Sequence, residues 1–285
     1  MLKHLLRGSG SGLDGDSWVA TLGGSTDDFG WSVAVAPDGS VYVCGSTNST
    51  GAGNNDFLLA KFSSSGTVQW KRTLGSIEYE YCRSVAVAPD GSVYVCGEIF
   101  STDIIISRDL LLAKFSSSGT VQWQRTLDGI NHDYGRSVAV APDDSVYVCA
   151  QTTSAGAGKY DILLAKFSSS GTVQWQKTLG GSNDDSGYSV AVAPDGSVYV
   201  CGYTQSAGAG GWDLLLAKIT DSLIEQDTVT FGNLTFQDVS LTAKNVSLTV
   251  TSSSLSVYNA GLTVSTPSLT VGTPSLTTNL YTLKE

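Results

Sequence analysis

Gly23-Gly24-Ser25-Thr26-Asp27-Asp28-Phe29-Gly30-Trp31-Ser32-Val33-Ala34-Val35-Ala36-Pro37-Asp38-Gly39-Ser40-Val41-Tyr42-Val43-Cys44-Gly45 is the stretch that decides the fold. Its second half recurs: SVAVAPD begins at Ser32, Ser84, Ser137 and Ser189, in steps of 52, 53 and 52 residues. Each copy continues into VYVC and then into LLAK, at Leu58, Leu111, Leu163 and Leu215. Three copies run on into FSSSGTVQW, ending at Trp70, Trp123 and Trp175. SVAVA and VYVC are short apolar runs rich in β-branched residues, which read as strands. Pro-Asp-Gly joins them, with φ preset by proline and a left-handed residue supplied by glycine. The third copy has Pro142-Asp143-Asp144 there, and aspartate adopts that conformation less readily than glycine. LLAKF and TVQWxxTL form a second hairpin through Ser-Ser-Ser-Gly.

Four strands in a repeat of about fifty residues are the pattern of a propeller blade. Calling the strands a (SVAVA), b (VYVC), c (LLAKF) and d (WxxTL), the fourth repeat stops after strand c, at Ala217-Lys218-Ile219-Thr220. A matching strand d stands alone near the N-terminus: Trp18-Val19-Ala20-Thr21-Leu22-Gly23-Gly24 parallels Trp175-Gln176-Lys177-Thr178-Leu179-Gly180-Gly181. The reading is an all-β protein, a four-bladed propeller over residues 18–220 closed by that N-terminal strand, since closure removes open sheet edges. Half of an eight-bladed ring made by two chains is the alternative. Residues 1–17 read as a linker or arm, with a Gly10–Gly15 match to G-x-G-x-x-G that follows no strand and opens no helix.

The stretch quoted first resembles the bacterial short-repeat β-propeller family, whose units run G-G-x-x-D-D-x-G through V-Y-V-x-G. The resemblance implies the fold and a binding or surface role, with no shared chemistry. LLAKFSSSGTVQW is similar to the tryptophan docking phrase of quinoprotein propellers, a likeness of blade packing only.

Composition excludes several classes. The 285 residues carry 16 Lys and Arg against 26 Asp and Glu, a net charge of −10, the opposite of a nucleic-acid binder. No apolar run approaches the length of a membrane span, and the N-terminal MLKHLLRGSGSG lacks the apolar core of a secretion signal. Only two histidines occur, His4 and His132, which leaves little for acid–base catalysis near neutrality. No nucleophile-elbow, zincin or phosphate-loop motif is present, and the chain reads as no enzyme. Four of the five cysteines, Cys44, Cys96, Cys149 and Cys201, fall in the VYVC phrase, and Cys82 lies outside it. They read as small buried residues of a chain folded in a reducing compartment, a ring of metal-bound thiolates being the competing reading.

In such a blade the a–b and c–d turns share one end and the b–c and d–a loops the other. The turns at the first end are nearly verbatim; the b–c loops differ, which marks their end for partner contacts. Ile104, Ile105 and Ile106 make an apolar cluster in the second b–c loop and suggest an interface. Trp31 and Trp212 break the repeat register there and could stack on a sugar. Asp28, Glu80, Asp133 and Asp185 recur in the d–a loops. A pseudo-four-fold ring of them could hold calcium, the one cofactor considered; the competing reading is four carboxylates that each accept hydrogen bonds in their own loop. Asp56, Asp109, Asp161 and Asp213, just before each strand c, read as turn caps.

After Thr220 the chain becomes rich in Ser, Thr, Val and Leu. VSL, VSL, LSV, LTV, LTV and LTT at 239, 246, 255, 262, 269 and 276 form a second repeat, close to heptadic. Pro267 and Pro274 and the β-branched content oppose a coiled coil. Residues 221–285 read as an attachment or oligomerisation segment of short strands, resembling the β-structured shafts of phage and viral fibres. Together these features lead to the expectation of a non-enzymatic phage virion component, a capsid decoration or tail protein made in the host cytoplasm and displayed on the virion. Its partners would be other virion proteins or copies of itself through the C-terminal segment, with no nucleic acid and no membrane. The alternative is a carbohydrate- or ligand-binding module of a bacterial surface adhesin, with a cell-surface glycan as partner.

Overall fold

The computed structural model describes residues 17–101, 107–252 and 256–259. It is a four-bladed β-propeller. After β1 (Ala20–Gly23), the first blade holds β2 (Asp28–Val35), β3 (Val41–Thr47), β4 (Asp56–Phe62) and β5 (Val68–Gly75). The second holds β6 (Glu80–Val87), β7 (Val93–Ser101), β8 (Ser107–Phe115) and β9 (Val121–Asp128), and the third β10 (Asp133–Val140), β11 (Val146–Thr152), β12 (Asp161–Phe167) and β13 (Val173–Gly180). The fourth has three strands, β14 (Asp185–Val192), β15 (Val198–Thr204) and β16 (Asp213–Ile219). Within the blades every pairing is antiparallel and in sequence order, as hairpin-connected strands require. The Pro-Asp-Gly turns hold Gly39, Gly91 and Gly196 at φ of 77°, 81° and 84°, and Asp144 takes φ of 63°, alone among the described non-glycine residues in being left-handed.

Each blade packs its innermost strand on the blade before: β6 on β2, β3 and β4; β10 on β6, β7 and β8; β14 on β10, β11 and β12. Three apolar clusters fill these three seams. Strand-d tryptophans lock them from outside. Trp70 Nε1 donates to Ser117 O at 3.0 Å and Trp123 Nε1 to Ser169 O at 3.0 Å, each reaching the c–d turn of the next blade. Cys44, Cys82, Cys96 and Cys149 are buried free thiols in the blades, and Cys201 is half-buried.

Two expectations are corrected. The N-terminal strand does not complete the fourth blade: β1 pairs with β21 (Ser256–Asn259), and among the described residues no strand pairs with the outer edge of β16. Trp18 nevertheless docks as a strand-d tryptophan should, its Nε1 donating to Ser64 O at 2.9 Å in the first blade's turn. Nor does the described part of the expected attachment or oligomerisation segment 221–285 stand apart from the propeller. After the short helix α1 (Asp221–Ile224) come β17 (Thr228–Phe231), β18 (Leu234–Asp238), β19 (Thr242–Asn245) and β20 (Thr249–Ser252). β18 adds to β13, β19 to β9, β20 to β5 and β21 to β1. The chain therefore runs back around the outside of the propeller as a belt, giving each strand d an outer neighbour. Its seven-residue period is the distance from one blade to the next, roughly 23 Å of extended chain. Leu241 and Leu248, seven apart, drop into successive seams. Gln176 clamps Leu241 through both backbone groups (3.0 and 3.1 Å), and Gln124 clamps Leu248 likewise (3.2 and 2.8 Å). Order in the belt thus comes from the propeller itself, because an isolated three- or four-residue strand cannot satisfy its own backbone. The VSL-type repeats from 262 onward lie outside the described residues.

Candidate functional site: an aromatic–arginine ladder

The a–b pairing of every blade carries an irregularity at one place: between Gly30 and Ser32, Cys82 and Ser84, Gly135 and Ser137, Gly187 and Ser189. A bulge leaves its extra residue out of the ladder and re-aims its side chain. The four residues so released are Trp31, Arg83, Arg136 and Tyr188, the most dissimilar position in otherwise near-identical strands. They lie toward the end of the molecule that carries the b–c and d–a loops.

Around them the rings and guanidinium groups form one continuous ladder across all four blades. Phe29 stacks on Trp31 at 5.8 Å, and Arg83 lies 5.2 Å from the Trp31 ring and 5.4 Å from Tyr81. Arg108 comes next, 4.5 Å from Phe100, 5.9 Å from Tyr81 and 5.5 Å from Tyr134. Arg136 bridges Tyr134 at 5.2 Å and Tyr188 at 5.6 Å, and Tyr188 leads on to Tyr203 at 5.2 Å and Trp212 at 4.3 Å from Tyr203. Cations over ring faces gain electrostatic attraction and hold the rings still.

The ladder is fixed from beneath by fully buried Glu98, whose Oε1 accepts from Arg83 at 2.8 Å and from Arg108 at 3.3 Å. Gln151 Oε1 accepts from Arg136 at 3.2 Å. Glu98 pairs with two of the three guanidinium groups and neutral Gln151 holds the third, so the ladder carries more positive than negative charge on an acidic protein. Glu98 Oε2, Arg83 Nε and Arg136 Nε are buried without a protein partner, and buried polar atoms without partners call for water or a ligand. Burial pushes the Tyr134 hydroxyl above the usual tyrosine range, partly offset by the flanking Arg108 and Arg136 charges. His132 is structural: its Nδ1 accepts the Arg108 backbone N–H at 3.1 Å.

The expected site residues divide. Trp31 and Trp212 stand at the two ends of the ladder, both half-exposed, although Trp31 belongs to strand β2 and not to a variable loop. Ile104, Ile105 and Ile106 lie outside the described residues. The carboxylates do not form a ring. Each closes its own d–a loop: Asp28 accepts from Gly24 N and Ser49 Oγ, both at 2.8 Å, Asp133 from Gly129 N at 3.1 Å and Ser154 Oγ at 2.8 Å. Asp185 accepts from Gly181 N and Ser206 Oγ, both at 2.7 Å, and Glu80 from Ser76 N at 3.1 Å and Ser76 Oγ at 2.5 Å. Among the described residues no three His, Cys, Asp or Glu side chains are grouped to hold a metal ion. Burial raises Glu80 to about 7 and Asp133 to about 6. The three arginines and Glu98 were not foreseen, though the W, R, R, Y variation before SVAVA was visible in the repeat alignment.

At the opposite end a cavity of about 520 Å³ is lined by the Val-Ala-Pro segments of all four blades, among them Pro37, Pro89, Pro142 and Pro194. Its lining carries no polar side chain, so it offers a ligand little to orient against. No described helix is long and apolar enough to cross a membrane.

Residues 174–208 match the family model described as a beta-propeller repeat, and residues 36–68 match one described as a beta-propeller domain of unknown function. Neither match extends beyond the four-bladed region. A protein named regulatory protein FlaEY, from Caulobacter vibrioides, is 26% identical over 238 residues, 71% of this chain. The chain spans about a quarter of that relative, 25% of its length. A crystal structure of a protein of unknown function from Bacteroides caccae is similar at a TM-score of 0.40 and 11% identity, over 71% of this chain and 64% of that one.

Proposed function

We propose that this β-propeller is a non-enzymatic binding module whose ladder takes an acidic saccharide. The observation that carries the reading is the bulge-built row of half-exposed rings and arginines. Ring faces stack on the apolar faces of sugars. Guanidinium groups bind carboxylate or sulfate as planar forks. Arg83, Arg108 and Arg136 are already oriented by Glu98 and Gln151, so little ordering entropy opposes binding. The virion reading drew in part on a fibre-like C-terminal segment; with residues 228–259 paired to the propeller's own strands, the binding-module reading is the better supported.

The test is calorimetric titration with uronic-acid oligosaccharides and their neutral counterparts. Binding should be restricted to the acidic ligands and weaken with salt, and Arg136→Gln should lower affinity at least tenfold. Equal binding of neutral ligands, or none of either, would remove the proposal.

A further inference from the structure

We infer that the fourth blade of one chain docks on the first blade of a second copy, and that β1 of that copy supplies the missing fourth strand beside β16. Three independent features point to this. The first is exposure at the two ends of the blade row. Val33 is 63% exposed, whereas its counterparts Val85, Val138 and Val190 are 5–6% exposed within the seams. Leu214 and Leu216 are 83% and 67% exposed, whereas Phe57 and Leu59, Leu110 and Leu112, and Ile162 and Leu164 are all at 2% or less. The same repeat surface that makes each internal seam is bare at both ends, and the two bare faces are the two halves of one seam.

The second is a broken series of hydrogen bonds. Val85 N–H donates to Ser32 Oγ at 3.3 Å, Val138 N–H to Ser84 Oγ at 3.2 Å and Val190 N–H to Ser137 Oγ at 3.2 Å. The fourth member, Val33 N–H to Ser189 Oγ, is not made within the chain. No apolar seam joins the fourth blade to the first among the described residues.

The third is the position of β1. Trp18 docks on the first blade's turn as the outer strand of a preceding blade does, and β21 covers one edge of β1 as the belt covers β5, β9 and β13. Among the described residues, what stands before the first blade is thus the outer part of a blade without its inner strands, and what ends the row is a blade without its outer part. The register follows from β12 and β13, where Leu163 faces Thr178 and Leu164 faces Lys177. The partner's β16 would bring Leu215 opposite Thr21 and Leu216 opposite Ala20. Two copies joined twice in this way close an eight-bladed ring with every seam filled, the closed outcome of a head-to-tail interface.

The experiment uses the full chain. Light scattering coupled to size-exclusion chromatography should give twice 29.7 kDa, and Leu216→Asp should give a single chain. An Ala20→Cys/Leu216→Cys double variant, oxidised, should run on a non-reducing gel as a covalent dimer. Half-buried Cys201, on the bare face, should react with a thiol reagent at least tenfold faster in Leu216→Asp than in the unmodified protein. A single-chain mass for the unmodified protein, a 20–216 cross-link within one chain, or open oligomers longer than two would each overturn the inference. The cross-linking variant leaves both faces apolar and so decides the matter even where Leu216→Asp fails to fold.

Discussion

Replacing Asp109 by Asn should stabilise the protein at alkaline pH and leave it unchanged at acid pH. Asp109, the third residue of β8, is almost fully buried, and among the described residues its carboxylate accepts the Ser107 hydroxyl, at 3.2 Å. Burial first, and then the charges of Asp128 and Asp133, raise its carboxyl from 3.8 to about 7. Between those two values the folded state holds a proton that the unfolded chain has released. Protonation therefore favours folding, and the contribution is complete below about pH 4 and lost as the pH rises through 7. At about 1.36 kcal/mol per decade the displacement has a ceiling near 4 kcal/mol; halving it or more for water around a site at the end of a strand leaves about 1–2 kcal/mol. Asparagine copies the neutral form and keeps the oxygen that accepts from Ser107. In thermal unfolding followed by near-UV circular dichroism, Asp109→Asn should raise Tm by about 3–6 °C at pH 8 and by nothing at pH 4. A variant that lowers Tm equally at both would show that no buried charge is being relieved. Glu80, at about 7, and Asp133 and Asp161, at about 6, have the same sign, so the unmodified protein should itself lose stability from pH 5 to pH 8.

Trp123→Ala removes a ring packed 5.9 Å from Tyr94 and a hydrogen bond to the next blade's turn, and should cost about 2–3 kcal/mol in chemical denaturation. Trp175→Ala should cost less, since the fourth blade has no matching turn. Gln176→Ala breaks both hydrogen bonds that hold Leu241, and hydrogen exchange should quicken over residues 228–252 while β10–β12 stay protected.

The blades were legible because their information is local. Val, Tyr and Pro-Asp-Gly act within ten residues, and four near-identical copies repeat the message. The turn at Pro142-Asp143-Asp144 was read correctly for the same reason, with Asp144 taking the left-handed conformation that glycine takes elsewhere. The site was half legible. Trp31 and Trp212 stand out by breaking the repeat, but Arg83, Arg108 and Arg136 gain meaning only when bulges and a shared Glu98 bring them to one ladder.

Periodicity and composition alone determined an all-β protein of four like blades, buried thiols and an acidic surface, because strands and turns follow from short-range sterics and side-chain patterning. Three matters were decided only by the tertiary structure. The seven-residue period of the described segment is a belt and not a shaft, because belt strands find partners in β5, β9, β13 and β1, contacts between residues as far apart in sequence as Ala20 and Asn259. The recurring carboxylates are loop closures and not a metal-holding cluster, because each accepts hydrogen bonds from hydroxyls and amides of neighbouring loops. And the orphan N-terminal strand is aligned with a missing strand that it does not meet, because pairing depends on where β16 lies in space, which no count of strands can supply.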